Sequence, residues 1–187
     1  MNFCICRDSN KCDDYPRELG CLFLGEAARS IHPDLGRSAT KEEARDHVRK
    51  CQEAGLVQMV GKGRFDTIWL DAYPGSQLFT VCNCCPCCCI SLAFPYLAPK
   101  LRQKIQRLPG VNMVVTDDCV GCGECLAACI YNGIRLEGDR AVISGDNCLS
   151  CGRCANACPQ NAIHVKIEND QYVAETIERL STKVDVS

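Results

Sequence analysis

The chain has 187 residues, 47% of them hydrophobic, a formal charge of −2, and 19 cysteines. That length accommodates two small domains, or one domain with an appended module. The slightly acidic balance disfavours nucleic acid and anionic membrane as partners, and so many thiols persist only where the compartment keeps them reduced.

Met1 to Lys11 has no apolar core, because Cys4, Cys6 and Arg7 interrupt it; no secretory leader is expected, and the chain reads as cytoplasmic. Helical periodicity runs from Cys21 to Ile31 and more clearly from Lys41 to Ala54. Thr40 with Glu43 is a capping-box signature for the second helix, Ala44, Val48 and Cys51 share one of its faces, and Gly55 is its stop. Leu56 to Val60 then reads as a strand, Gly61 to Gly63 as a turn, and Phe65 to Leu70 as a return strand. Helix, helix, hairpin is the outline of a winged-helix module, which invites a DNA-binding reading. The charges resist it: residues 1–80 hold eleven Lys or Arg against twelve Asp or Glu, whereas a reader of phosphates needs a basic face.

Residues 82–89 contain six cysteines in eight positions: Cys82, Cys84, Cys85, Cys87, Cys88 and Cys89. Adjacent thiols are exposed and oxidisable unless a metal holds them. Cys82, Cys85 and Cys88 have two-residue spacing and are candidates for three ligands of an iron–sulfur cluster. The fourth ligand would be Cys89, or a thiol brought by the fold, from Cys51, Cys21, Cys12, Cys6 or Cys4. Zinc held by Cys84, Cys87 and their neighbours competes with this, as do redox-active or free thiols. Cys84-Cys85 after Cys51 also resembles part of a heterodisulfide-reductase site, but the downstream C-x2-C such a site needs is Cys119 and Cys122, which have another use. Residues 78–99 score as apolar because of these cysteines, yet Asn83, Pro86 and Pro95 argue against a membrane-spanning helix.

Pro99 to Pro109 reads as a short amphipathic helix, with Leu101, Ile105 and Leu108 inward and Lys100, Arg102, Lys104 and Arg107 outward. Val111 to Thr116 is an entering strand, Ile134–Leu136 and Ala141–Ile143 flank a Glu137-Gly138-Asp139 turn, and Ile163 to Ile167 is a closing strand. Between these strands the phrase C-x2-C-x2-C-x3-C occurs twice, 29 residues apart: Cys119, Cys122, Cys125, Cys129 and Cys148, Cys151, Cys154, Cys158. Asn132 and Ile134 answer Asn161 and Ile163 at the same offset, so a whole unit is duplicated. Zinc ribbons offer two separated pairs of thiolates, whereas each run here offers three in seven residues and a fourth at fixed spacing; zinc and a disulfide framework are both disfavoured. Beyond the repeat, Val173, Ile177, Leu180 and Val184 form one apolar stripe over 170–184, expected as a helix packed on the chain's own surface. His32, His47 and His164 have no partner spacing and read as surface or packed residues.

On these motifs residues 111–167 resemble a bacterial-type ferredoxin with two 4Fe-4S clusters. The resemblance implies a ligand set in which the fourth cysteine of each run serves the other run's cluster. Cys119, Cys122, Cys125 and Cys158 would hold one cluster, and Cys148, Cys151, Cys154 and Cys129 the other. One departure is Ile130, which stands where Pro159 stands in the second half. The amino-terminal region is similar to an extension of ferredoxin-domain proteins of anaerobes, carried by Gly20–Gly25, Glu53–Val57 and the dense cysteine run.

The expected architecture is α+β: a cysteine-rich helical and hairpin domain over 1–98 with a winged-helix outline, a linker helix over 99–110, a pseudo-symmetric two-cluster ferredoxin domain over 111–167 and a carboxy-terminal helix over 168–187. The expected function is electron transfer through two 4Fe-4S clusters, with a third iron–sulfur or zinc site, to a redox partner protein, without nucleic acid or membrane insertion, in a low-oxygen host. The alternatives are a reductase acting on a disulfide or other sulfur substrate at the dense cysteine run, and a redox or metal sensor.

Overall fold

The structure, a computed structural model, describes residues 1–145, 147–169 and 171–185. Its internal contacts divide the chain into two units, Met1–Cys88 with the segment from Val173 onward, and Cys89–Tyr172. Helices and strands are mixed throughout, as in an α+β protein.

The first unit contains α1 (Ile5–Asn10), β1 (Leu22–Leu24), α2 (Lys41–Glu53), β2 (Val57–Gly61), α3 (Arg64–Trp69) and β3 (Phe79–Cys84). Its strands form an antiparallel sheet in the order β1-β3-β2, with Leu22 opposite Val81 and Val57 opposite Cys84. Helix α2 begins and ends as its sequence dictates. The Glu43 N–H donates to Thr40 Oγ1 at 3.2 Å and the Thr40 N–H to Glu43 Oε2 at 2.8 Å, closing the capping box. At the other end Gly55 has φ of 78°, the Gly55 N–H donates to Gln52 O and the Leu56 N–H to Cys51 O, which satisfies the last carbonyls of the helix. Cys51 and His47 are its buried residues, and His47 Nε2 lies 2.9 Å from Gly20 O, so this histidine is packed.

Two expectations fail in this unit, both because β3 was not foreseen as a strand. Cys21 to Ile31 is not a helix: Leu22–Leu24 pairs with β3, Gly25 turns the chain at φ of 95°, and a 3-10 helix follows over Glu26–Ser30. Phe65 to Leu70 is not a return strand; the strand that pairs antiparallel with β2 is β3. The segment coils into α3, held by the Asp66 carboxylate, which accepts from Trp69 Nε1 at 3.3 Å and from Thr80 Oγ1 at 2.7 Å. Trp69 stands edge-on to Phe23 at 6.1 Å, beside a core of Phe23, Ala27, Leu70, Ala72 and Leu78.

The second unit opens with a 3-10 helix over Ile90–Tyr96 and a single helical turn, α4 (Pro99–Arg102). The longer amphipathic helix expected here does not form: beyond α4 the chain continues as i to i+3 turns, and Leu101 is 51% exposed instead of inward. Then follow β4 (Val111–Val115), α5 (Glu124–Ala128), β5 (Ile134–Glu137), β6 (Arg140–Ile143), α6 (Arg153–Asn156) and β7 (Ile163–Ile167). Strand β4 pairs with β7 and β5 with β6, both antiparallel, so the first and last strands clasp the two cysteine loops between them. The core comprises Met113, Cys125, Ile134, Ala141, Cys154 and Ile163. From Val173 onward the chain belongs again to the first unit: α7 (Tyr172–Ser181) leaves Val173 and Ile177 each 59% exposed, and of the expected stripe only Val184, three residues past the helix, is buried.

Candidate metal centres

The cysteine loops of the second unit are built on left-handed turns. Gly123 and Gly152, at φ of 84° and 82°, cap the starts of α5 and α6; the first two cysteines of each run precede this turn and the third, Cys125 or Cys154, lies buried in the first turn of the helix. Each fourth cysteine follows one of these short helices, at the end of α5 for Cys129 and just past α6 for Cys158.

Two small cavities result, and each collects four of the eight cysteines. One is lined by Cys119, Cys122, Cys125 and Cys158, with Ala141 and Ile163. The other is lined by Cys129, Cys148, Cys151 and Cys154, with Met113, Ile134 and Arg153. Each run thus gives three sulfurs to its own cavity and the fourth to its neighbour's. Backbone N–H groups are aimed at the sulfurs: Gly133 at Cys129 (3.2 Å), Ala162 at Cys158 (3.3 Å), Ala141 at Cys119 (3.4 Å) and Ser150 at Cys148 (3.4 Å).

Electrostatics bear on what the cavities can hold. Hydrogen bonds from the Ala141 and Gly121 N–H groups hold the Cys119 thiol below its ordinary range. Burial, followed by the charges of Cys119, Cys122 and Cys158, raises Cys125. Burial and then Cys151, Cys148 and Cys129 push Cys154 up to about 12. Burial likewise raises Cys151, although the Arg153 N–H and then its guanidinium ease that rise. Four thiolates gathered around one small cavity repel one another unless a cation sits among them, and a coordinating cation deprotonates them outright. The donor set, all sulfur, converging and supplied with N–H donors, fits an iron–sulfur cluster in each cavity.

The first unit arranges its cysteines differently. Cys82, in β3, has its sulfur 3.6 Å from that of Cys21, and hydrogen bonding to Cys21 and Cys84 drives its thiol strongly upward. Cys84 is buried at the end of β3. Cys51 is fully buried in α2, its thiol pushed up to about 11 by burial, and its sulfur donates to Leu19 O at 3.8 Å. Cys89 belongs to the second unit, buried, with its sulfur capping the Ser91 N–H at 3.4 Å. Of the set expected from spacing, only Cys85 and Cys88 meet. Among the described residues, four sulfurs lying within 4.8 Å of one another are those of Cys12, Cys85, Cys87 and Cys88. Spacing along the dense run names Cys85 and Cys88, the competing zinc set names Cys87, and Cys12 is one of the thiols expected to be brought by the fold, from a loop more than seventy residues away.

No span among the described residues is a helix long and apolar enough to cross a membrane. A comparison with curated proteins gives no match. The family model described as a 4Fe-4S dicluster domain matches residues 118–162, a stretch that contains all eight cysteines of the two cavities. Residues 118–162 are an iron–sulfur domain of the ferredoxin type.

Proposed function

We propose that the chain transfers single electrons through two 4Fe-4S clusters of the bacterial ferredoxin kind, as a carrier or as the wiring subunit of a larger oxidoreductase. The observation that carries this reading is the pair of cavities, each lined by four cysteines. When bound, a cubane with four thiolate ligands takes up and returns one electron and offers no open iron to a substrate. Cys119, Cys122, Cys125 and Cys158 would hold one cluster, and Cys148, Cys151, Cys154 and Cys129 the other. The N–H groups of Gly133, Ala141, Ser150 and Ala162 offset thiolate charge and so favour the more negative, reduced state. Cys122 is exposed and Val120 is 59% exposed, leaving a thin edge over the first cavity through which a docked redox protein would exchange electrons.

A cytoplasmic setting, a low-oxygen host and a basic docking patch on the partner belong to the same proposal. So do a third metal site in the first unit, iron–sulfur or zinc, and a winged-helix-like fold for that unit, supported by the sheet order β1-β3-β2 with α2 leading into β2. One observation favours a second reading, reduction of a sulfur substrate. The Cys4 thiol lies at about 6, lowered chiefly by its hydrogen bond with Cys6, against burial and with help from Arg7. Against it, the large cleft of that unit, about 910 Å³ and lined by Leu22, Phe23 and Arg37 among others, has no cysteine in its wall.

Anaerobically purified protein is expected to carry about eight iron and eight acid-labile sulfide in the dicluster region, and to reduce reversibly without turnover. Cys158→Ser is expected to perturb the same cluster as Cys125→Ser, although the two lie in different runs. Colourless protein without sulfide overturns the proposal, and turnover of a disulfide abolished by Cys4→Ser would favour the reductase.

A further inference from the structure

We infer that Cys12, Cys85, Cys87 and Cys88 bind a single divalent thiophilic ion, zinc or ferrous iron, in a tetrahedral tetrathiolate site. This deepens the reading of a third metal site by fixing its ligands and its nuclearity, and it stands apart from the two clusters of the second unit.

The nuclearity follows from distance. Four sulfurs bonded to one ion at about 2.3 Å in a tetrahedron stand about 3.8 Å apart. The four sulfurs here all lie within 4.8 Å of one another, and Cys12 Sγ is 3.5 Å from Cys87 Sγ. Closing on one ion therefore needs shifts of about 1 Å or less. Sulfurs bound to four separate irons of a cube stand farther apart, so a third cubane would have to spread this group open.

Local chain geometry builds the site from two turns. Helix α1 ends at Lys11, which at φ of 48° reverses the chain, while the Cys12 N–H donates to Arg7 O at 3.0 Å. On the other side β3 ends at Cys84 and the chain turns through Pro86, with the Cys88 N–H donating to Cys85 Sγ at 3.4 Å. An N–H folded back on the sulfur three residues earlier lets Cys85 and Cys88 face one point, and it favours the thiolate.

Arg7 joins the two turns and supplies the charge a tetrathiolate site requires. It is 1% exposed and donates to Pro16 O (2.9 Å), Leu19 O (2.9 Å) and Asn83 O (2.6 Å). Against the effect of burial, the charges of Cys4, Cys85 and Cys21 also act on this guanidinium and raise its pKa. A buried guanidinium needs nearby negative charge, and the carbonyls supply only dipoles. Four thiolates around a divalent ion carry a net −2, so the ion site and Arg7 offset each other. Without an ion the crowding acts on the thiols: Cys88 is pushed up to about 11, first by Cys12, and Cys87 is raised by burial and then Cys12 and Cys85.

The test is metal and sulfide analysis of the full-length chain purified anaerobically, with and without added zinc, followed by exchange with cobalt(II). One equivalent of zinc per chain, or one equivalent of iron in excess of sulfide, is expected, with a tetrahedral cobalt–thiolate spectrum after exchange. Cys12→Ser and Cys87→Ser are each expected to lose that equivalent while cluster iron and sulfide stay at the wild-type count. Because a variant could lose the ion by misfolding, the native chain supplies a second readout: chelation should expose four additional alkylatable thiols, Cys12 and Cys87 among them. Extra iron matched by equal extra sulfide overturns the inference in favour of a third cubane. Absence of any ion beyond the clusters overturns it outright, as does loss of the ion from Cys82→Ser or Cys89→Ser but not from Cys12→Ser.

Discussion

The two halves of the dicluster region, superimposable in sequence by a shift of 29 residues, agree where they shape sulfur and differ where they shape surroundings. Asn132 and Asn161 share the left-handed conformation at φ of 53° and 50°, as do Gly123 and Gly152 at 84° and 82°. The N–H groups that follow the asparagines, Gly133 and Ala162, reach their sulfurs at 3.2 and 3.3 Å. Three other pairs diverge. Gly121 faces Ser150, exposed Glu124 faces buried Arg153, and Ile130 faces Pro159. A shared turn with different charges around it is the expected way to hold the two proposed clusters while giving them unequal potentials.

The largest effect that bears on this comparison is loss of a ligand. Cys122→Ser is expected to disturb the cavity shared with Cys158 and leave the cluster of the second cavity and any amino-terminal metal in place. Cys151→Ser should do the converse. Iron, sulfide and the paramagnetic spectrum of the reduced protein separate the two outcomes, and a spectrum unchanged in either variant contradicts the assignment.

Next in size is an exchange at the turn. Gly121 and Ser150 have φ of 64° and 51°, but a Cβ at Gly121 would stand 2.7 Å from the Asp139 backbone, which cannot yield cheaply. Gly121→Ser is therefore expected to cost about 1–3 kcal/mol through overpacking. Ser150→Gly relieves a left-handed side-chain residue at the expense of unfolded-state freedom, and should change stability by only about 1 kcal/mol or less. Thermal midpoints of the two holo variants measure the difference; equal losses would mean that the two turns do not differ in the way proposed.

A third variant addresses charge. Arg153 is 6% exposed and lines the cavity of Cys129, Cys148, Cys151 and Cys154, whereas Glu124 at the same place in the first half is exposed. A buried cation favours the reduced, more negative cluster, so the second cluster should have the higher potential. Arg153→Gln is expected to lower that potential by tens of millivolts, a one-electron couple moving about 59 mV for each tenfold change in its equilibrium constant. The first cluster should move far less. Redox titration followed by paramagnetic resonance reads both, and an equal shift of the two would remove Arg153 as the source of asymmetry.

Much of this was legible in the cysteine spacing and the local signals around it. Strands β4 to β7 were bounded by turns and alternation, and α2 by Thr40, Glu43 and Gly55, because the residues that decide those features lie within a few positions of one another. What escaped depended on remote partners. Phe79–Cys84 was hidden as a central strand because its cysteines read as ligands, and with β3 unseen, Phe65–Leu70 was given its place beside β2. Cys12 was one of five candidates for a fold-brought ligand, and the choice among them escaped: it meets Cys87 because Lys11 reverses the chain and Arg7 ties α1 to the loop carbonyls, neither of which leaves a spacing in the sequence. The inward face assigned to Leu101 failed for the opposite reason: the periodicity was present, but a helix of four residues offers too little surface to bury it.

The smallest expected effect concerns Ile130. Cys129, the residue before it, is extended at φ of −87° and ψ of 95°, which is the conformation a following proline favours. The second half already has Pro159 after its fourth cysteine, and both fourth cysteines accept a hydrogen bond from the N–H four residues on, a contact a proline at 130 would leave untouched. Ile130→Pro should therefore retain both clusters and raise stability by about 0.4–1 kcal/mol, by restricting the unfolded chain. A higher thermal midpoint with unchanged iron would make the two turns interchangeable. Loss of the cluster lined by Cys129 would instead mean that the Ile130 side chain, which also borders that cavity, supports it in a way Pro159 does not reproduce for the other.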